Sequence, residues 1–126
     1  MAKRQYYKIL LRNGRAPVSR MPWSLPFKDK RGRQQPGGWH TVIGRLAMCR
    51  SGLHVVSEPD CIRRWLKFDS SSTTTNRRLF LAETHGPTRR RSSYDADKYL
   101  YRTVRLVREI KQGTVEWDLV VFGRKK

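Results

Sequence analysis

Cys49, His54, Cys61 and His85 are the side chains of this sequence best suited to chemistry, because thiolates and imidazoles serve both as zinc ligands and as partners in nucleophilic catalysis. They are separated by four, six and 23 residues, a set of spacings that matches none of the common paired-ligand patterns of zinc sites. No metal ligand is assigned. The plainer reading places Cys61 on the inner side of a helix and Cys49 in a turn. A Cys or Ser nucleophile needs a base within reach, and the linear order does not bring Cys49 or Ser57 to His54 or His85. The carboxylates fall mostly in turns, caps and solvated faces; Asp95 and Asp97 have the spacing to hold magnesium, but beside Arg91 they read as solvated or ion-paired. Gly37-Gly38 and Gly113 lack the strand, lysine and helix of a phosphate loop. No catalytic residue and no cofactor is assigned.

The elements that would carry these residues form an α+β pattern. Tyr6 to Leu11 reads as a strand stopped by Asn13-Gly14. From Arg15 to Gly38, Pro17, Pro22, Pro26 and Pro36 predict a long loop, with Trp23 and Phe27 as apolar anchors pinning it to the core. Trp39 to Ile43 and Gly52 to Val56 read as short strands. Ser57 and Asp60 have the spacing of a capping box, Pro59 suits a first helical turn, and Ile62, Trp65 and Leu66 share one face, so a helix is predicted from Glu58 to Phe68. Ser70 to Thr75 has no apolar periodicity and is read as loop. Arg78 to Thr84 is a strand closed by Gly86-Pro87, and Thr88 to Asp97 a basic loop. Lys98 to Ile110 alternates as a long strand, with Tyr99, Tyr101 and Thr103 on one side and Leu100, Val104 and Leu106 on the other. Val115, Trp117, Leu119 and Val121 alternate with Glu116 and Asp118, which predicts a final half-buried strand after a turn at Gln112-Gly113. The expected fold is one domain over 1–126: a small, mainly antiparallel sheet of about five or six strands, one principal helix, and loops at about 15–38, 70–77 and 86–97.

Charge dominates the composition. The 28 lysines and arginines outnumber 10 acids, for a net charge of +18. There are thirteen basic and three acidic residues up to Arg63, and fifteen and seven after it, so the halves carry +10 and +8. The excess is therefore not a tail, and folding presents it as a surface field. Nineteen of the 28 are arginines, whose planar forks match phosphate better than an ammonium does. The expected partner is nucleic acid, DNA or RNA, met through phosphate contacts from Arg63, Arg64, Lys67, Arg77, Arg78, Arg89, Arg90 and Arg91, without base readout. Two alternatives are an inhibitor or adaptor on an acidic surface of a host protein, and a nucleotide- or nucleic-acid-modifying enzyme using His54. The longest apolar run, Leu119 to Phe122, is far short of the about 20 residues of a membrane span, and Met1-Ala2-Lys3-Arg4 leads into no apolar signal segment. No membrane partner is expected, and the expected location is cytoplasmic, with the two cysteines reduced.

Several motifs carry a family resemblance. Tyr7-Lys8-Ile9-Leu10, the turn Cys49-Arg50-Ser51-Gly52-Leu53-His54, Trp65-Leu66, Leu79 to Glu83, and Val104-Arg105-Leu106-Val107-Arg108 together resemble a family of small uncharacterised proteins of actinobacteria and their phages. The likeness runs from Tyr6 to about Ile110. Many members follow the motif histidine with Ala-Cys, where this chain has Val55-Val56. The resemblance implies short strands around a helix and a phage or mobile-element origin, and it implies no activity.

Overall fold

The computed structural model describes residues 5–17, 20–42, 53–68, 75–91 and 98–123, with 87–91, 98 and 100 described by backbone alone. Its elements are β1 (Tyr6–Leu10), β2 (Phe27–Lys28), β3 (Gln34–Gln35), β4 (His40–Thr41), β5 (Leu53–Val55), α1 (Pro59–Leu66), β6 (Arg78–Arg91), β7 (Lys98–Ile110) and α2 (Val115–Phe122). The chain is α+β, and all strand pairings among the described residues are antiparallel.

The long β6–β7 ribbon organises the rest. β1 lies along β6 with Tyr6 opposite Ala82, while β4 and β5 lie along the other edge of β7, His40 opposite Val104 and His54 opposite Leu100. The far edge of β1 meets the residue after β5: the Tyr7 amide donates to the Val56 carbonyl at 2.7 Å and the Val56 amide returns the bond at 2.9 Å. The sheet thus curls until β1, β6, β7 and β5 form a closed ring, which satisfies edge groups that an open sheet would leave unpaired.

Two apolar clusters follow from strand alternation. Leu10, Leu53, Val55, Phe80, Ala82, Tyr99, Tyr101, Val104 and Leu106 pack with Ala16 and Trp23. Ile9, Leu79 and Ile110 pack instead with Val56 and with the helices, through Cys61, Ile62, Leu66, Trp117 and Val121. Full burial of side chains such as Phe80 and Leu106 contributes roughly 1.5–3 kcal/mol each. Tyr101 and Val104 were expected on opposite sides of β7, yet both lie in the first cluster. The register of the ribbon shifts between His85 and Thr88, opposite this stretch, and again between Leu81 and Ala82; such irregularities increase twist and re-aim side chains.

Four further expectations are corrected. Gly86-Pro87 does not close β6: Gly86, at φ +88°, takes the bulge, and the strand continues through Arg89, Arg90 and Arg91, so the predicted loop at 86–97 begins no earlier than residue 92, where the described residues stop. The segment 115–122 is a helix and not a strand, so the described residues form two helices of equal length. Thr114 caps it by accepting the Trp117 amide, Glu116 and Asp118 complement the dipole of its first turn, and Gly123 ends it at φ +71°. The α1 N-cap is Glu58 and not Ser57, with no side-chain cap bond; Pro59 sets its first turn. The loop at 15–38 contains the β2–β3 hairpin, and Trp23 anchors it as expected, but Phe27 is 54% exposed. Of the loop at 70–77, residues 70–74 lie outside the described residues, while Thr75 is buried and donates to the Leu66 carbonyl. No helix among the described residues is long and apolar enough to cross a membrane.

Candidate nucleic-acid interface

The acidic side chains decide which cations face solvent unopposed. Seven acids are described, and five are held in specific contacts. Arg63, on α1, pairs with Asp60 and also donates to the Val121 carbonyl at 2.6 Å, so it ties α1 to α2. Arg78 donates to both oxygens of Glu109 at 2.9 and 2.8 Å, and Lys111 reaches the same carboxylate at 3.1 Å. Burial pushes Glu109 up, but these cations outweigh it and hold the carboxyl below its usual range. Arg108 grips Glu116 at both oxygens. Arg105 donates to Glu83 at 2.6 Å.

Around Arg78 lies a cleft of about 500 Å³ whose walls include Arg12, Arg77, Arg78 and Lys111, with Glu109 between them. Arg77 donates to the Trp65 carbonyl at 2.9 Å; burial lowers its pKa, and Arg20 lies close enough to lower it further. Arg64 and Lys67 are exposed, as expected of the helix's polar face, with Lys67 at φ 51° serving as the α1 C-cap. Arg89, Arg90 and Arg91 pair along β7 through their backbone, opposite Leu100, Tyr99 and Lys98; their side chains lie outside those described. The structure therefore draws Arg77 and Arg78 into one cleft and leaves Arg63 in the joint between helices.

The β2–β3 hairpin is different. Its turn holds Lys28, Lys30, Arg31 and Arg33, all exposed, and among the described residues none of them makes an ion pair or a side-chain hydrogen bond. The one acid there, Asp29, faces the backbone: one oxygen accepts the Arg31 and Arg33 amides at 2.9 Å each, and the other accepts Gln35 at 3.0 Å. The Arg33 amide above all holds the Asp29 carboxyl below its usual range. Gly32, at φ +77°, supplies the reversal. The turn is thus locked by its own carboxylate while its four cations point outward. Sequence reasoning missed these residues; the signal present was four basic residues among six around an Asp with Gly three positions on.

The hairpin's root is fixed to the sheet. The Gly37 amide donates to the Leu106 carbonyl at 2.8 Å, the Gly38 amide to Ser24 Oγ at 2.8 Å, and the Ser24 amide to His40 Nε2 at 2.9 Å. Burial holds His40 below its ordinary pKa, in the neutral form that can accept this bond. Between these anchors Trp39 remains 45% exposed. The Arg105 guanidinium sits over its ring, 4.6 Å from the centroid, and the His85 ring meets it edge-on at 6.5 Å.

His54 lines a small apolar cavity of about 30 Å³ with Tyr7, Lys8, Ile9, Pro17, Val55, Val56 and Trp65. That space has room for no more than a water or two, and no carboxylate, second histidine or cysteine lines it among the described residues. His85 lies instead beside Trp39, Cys61 is buried, and Cys49 lies outside the described residues. No group of three His, Cys, Asp or Glu side chains among the described residues is placed to hold a metal ion. Comparison with protein-family models, with curated proteins and with solved structures finds no match to this chain.

Proposed function

We propose that this protein is a small nucleic-acid-binding accessory protein, encoded by a phage or mobile element as its motif resemblance implies, that holds the phosphate backbone without reading base edges. The observation that carries this reading is the β2–β3 turn. Four cations project from a rigid reversal whose only acid is turned into the backbone, which is the arrangement that lets a protein displace counterions from a polyanion. The pairing of Arg63, Arg78, Arg105 and Arg108 with carboxylates supports the same division: those arginines hold the fold together, and the turn faces outward. Arg64, Lys67, Arg89, Arg90 and Arg91 would add to the field around it.

An acidic face on a host protein is the second reading. The exposed Phe27 at the base of the same turn favours it, since an aromatic anchor among cations suits a protein interface.

Anisotropy of labelled DNA and RNA across a salt series tests the first reading. Binding is expected at low ionic strength, and joint replacement of Lys28, Lys30, Arg31 and Arg33 by glutamine should flatten the log–log salt slope by about 3–4. Absence of salt-dependent binding to either nucleic acid would sink it; tight binding to an acidic protein with none to nucleic acid would favour the second.

A further inference from the structure

Trp39 is the one fully described tryptophan that the fold does not put away: Trp23 and Trp117 are buried and Trp65 is half-buried. Its exposure is not looseness. The two residues before it are fixed by the Gly37–Leu106 and Gly38–Ser24 bonds, and the two after it form β4, paired to Val104 and Thr103. The ring is oriented as well, because Arg105 covers it at 4.6 Å while Glu83 holds Arg105 from behind at 2.6 Å. An indole held this way, with nearly half its surface still open, has already lost the freedom that a stacking partner would otherwise take from it.

We propose that Trp39 is a stacking platform for an unpaired nucleobase, and that the nucleic acid this protein prefers is single-stranded. The inference rests on the nucleic-acid reading above and sharpens it. A flat π surface backed by a guanidinium accepts any base, since every base has a π face, and a duplex keeps its bases stacked inside. Chain geometry joins the platform to the basic turn. Trp39 follows Arg33, the last cation of the turn, by six positions, which limits their separation to about 21 Å. One strand can therefore lay a base on Trp39 while its neighbouring phosphates meet Lys28, Lys30, Arg31 and Arg33.

The test uses a short oligothymidylate, a duplex of equal length, and polyglutamate as an anion without bases. On the wild-type protein the oligothymidylate should quench tryptophan fluorescence and keep a salt-resistant share of its binding, while polyglutamate competes at low salt without quenching. Trp39→Leu, which keeps apolar bulk but has no π face, should lose that quench and about tenfold in affinity for the single strand, with duplex affinity unchanged. Trp39→Phe should retain most of the affinity. If Trp39→Leu binds the single strand as tightly as wild type, or if both variants weaken single strand and duplex alike, the platform is refuted and phosphate binding stands. Equal quenching by polyglutamate refutes it in favour of a protein partner. If no nucleic acid binds at all, the parent reading falls with it.

Discussion

The turn between β2 and β3 and the cleft beside the β6–β7 ribbon each gather four cations, and they use them in opposite ways. In the cleft, Glu109 faces side chains, drawing in Arg78 and Lys111, while Arg77 is tethered to a carbonyl of α1. In the turn, Asp29 faces the backbone and takes no cation. A single carboxylate in each place decides whether the surrounding positive charge stiffens the fold or remains available to a partner. Net charge cannot distinguish these outcomes, because both regions contain four basic residues and one acid.

The comparison breaks most severely at the hairpin's root. A Cβ on Gly37 would lie 2.0 Å from the Ser24 carbonyl oxygen, a backbone atom that has no room to yield. Gly37→Ala should therefore cost about 3 kcal/mol or more in a denaturant melt and release the turn from the sheet. A melt unchanged within error would mean that the root is not packed as described. The cleft can be altered next. Glu109→Gln removes the charge that Arg78 and Lys111 share, at a cost of about 2 kcal/mol for a partly buried, bidentate pair. It should also steepen the salt dependence of polyanion binding, because cleft cations become available; an unchanged slope would show that the cleft never meets the ligand.

Acid separates the two regions by titration. His40 has a folded pKa below its unfolded value, so its contribution is complete above about pH 6.5 and is lost as pH falls through the lowered value. Protonated Nε2 cannot accept the Ser24 amide. Glu109 is also depressed, so its contribution is present above the usual carboxylate range, about 4.3, and fades below it. Amide shifts followed against pH should move first at Ser24 and later around Arg78; simultaneous movement would contradict the assignment. The smallest effect belongs to Asp29→Ala. The Arg31 and Arg33 amides lose their acceptor, so their exchange should quicken while global stability hardly changes. Affinity for nucleic acid should shift only severalfold, as an ordered turn is replaced by a mobile one that carries one more net positive charge. Unaltered exchange would remove Asp29 as the lock.

Much of this fold was legible in the residues because short apolar segments between turn signals mark its strands. Ile9 and Leu10, Leu53 and Val55, and Leu79 and Phe80 lie in segments read as strands and are buried in β1, β5 and β6, whereas the alternation expected of β7 is broken where Tyr101 and Val104 share a cluster. Helix α2 was not legible, because Val115, Trp117, Leu119 and Val121 satisfy two periods at once: every second residue is apolar, and Trp117 and Val121 are also one helical turn apart. The cap at Thr114 and the glycine at 123 were the deciding signals. β2 and β3 are two residues each, too short for any period to register. The basic site was legible only as composition. Arg78 and Glu109 are far apart in sequence and meet only when β6 pairs with β7, so no reading of the linear chain could have separated Arg78 from Arg31.

The closed ring of strands has a consequence for how the protein comes off the ribosome. β1 is made early, but Tyr6 pairs with Ala82 and the ring cannot close until β7 is complete at Ile110. At about 5–20 residues per second, β1 waits for several seconds with its pairing edges and apolar side chains uncovered. Lys8 stands in the middle of that strand. In the finished molecule it is buried, its Nζ donating to the His54 carbonyl at 2.9 Å. In the unfinished chain the same charge interrupts Tyr6-Tyr7 and Ile9-Leu10, acting as a gatekeeper against pairing with a neighbouring chain until the correct edge arrives.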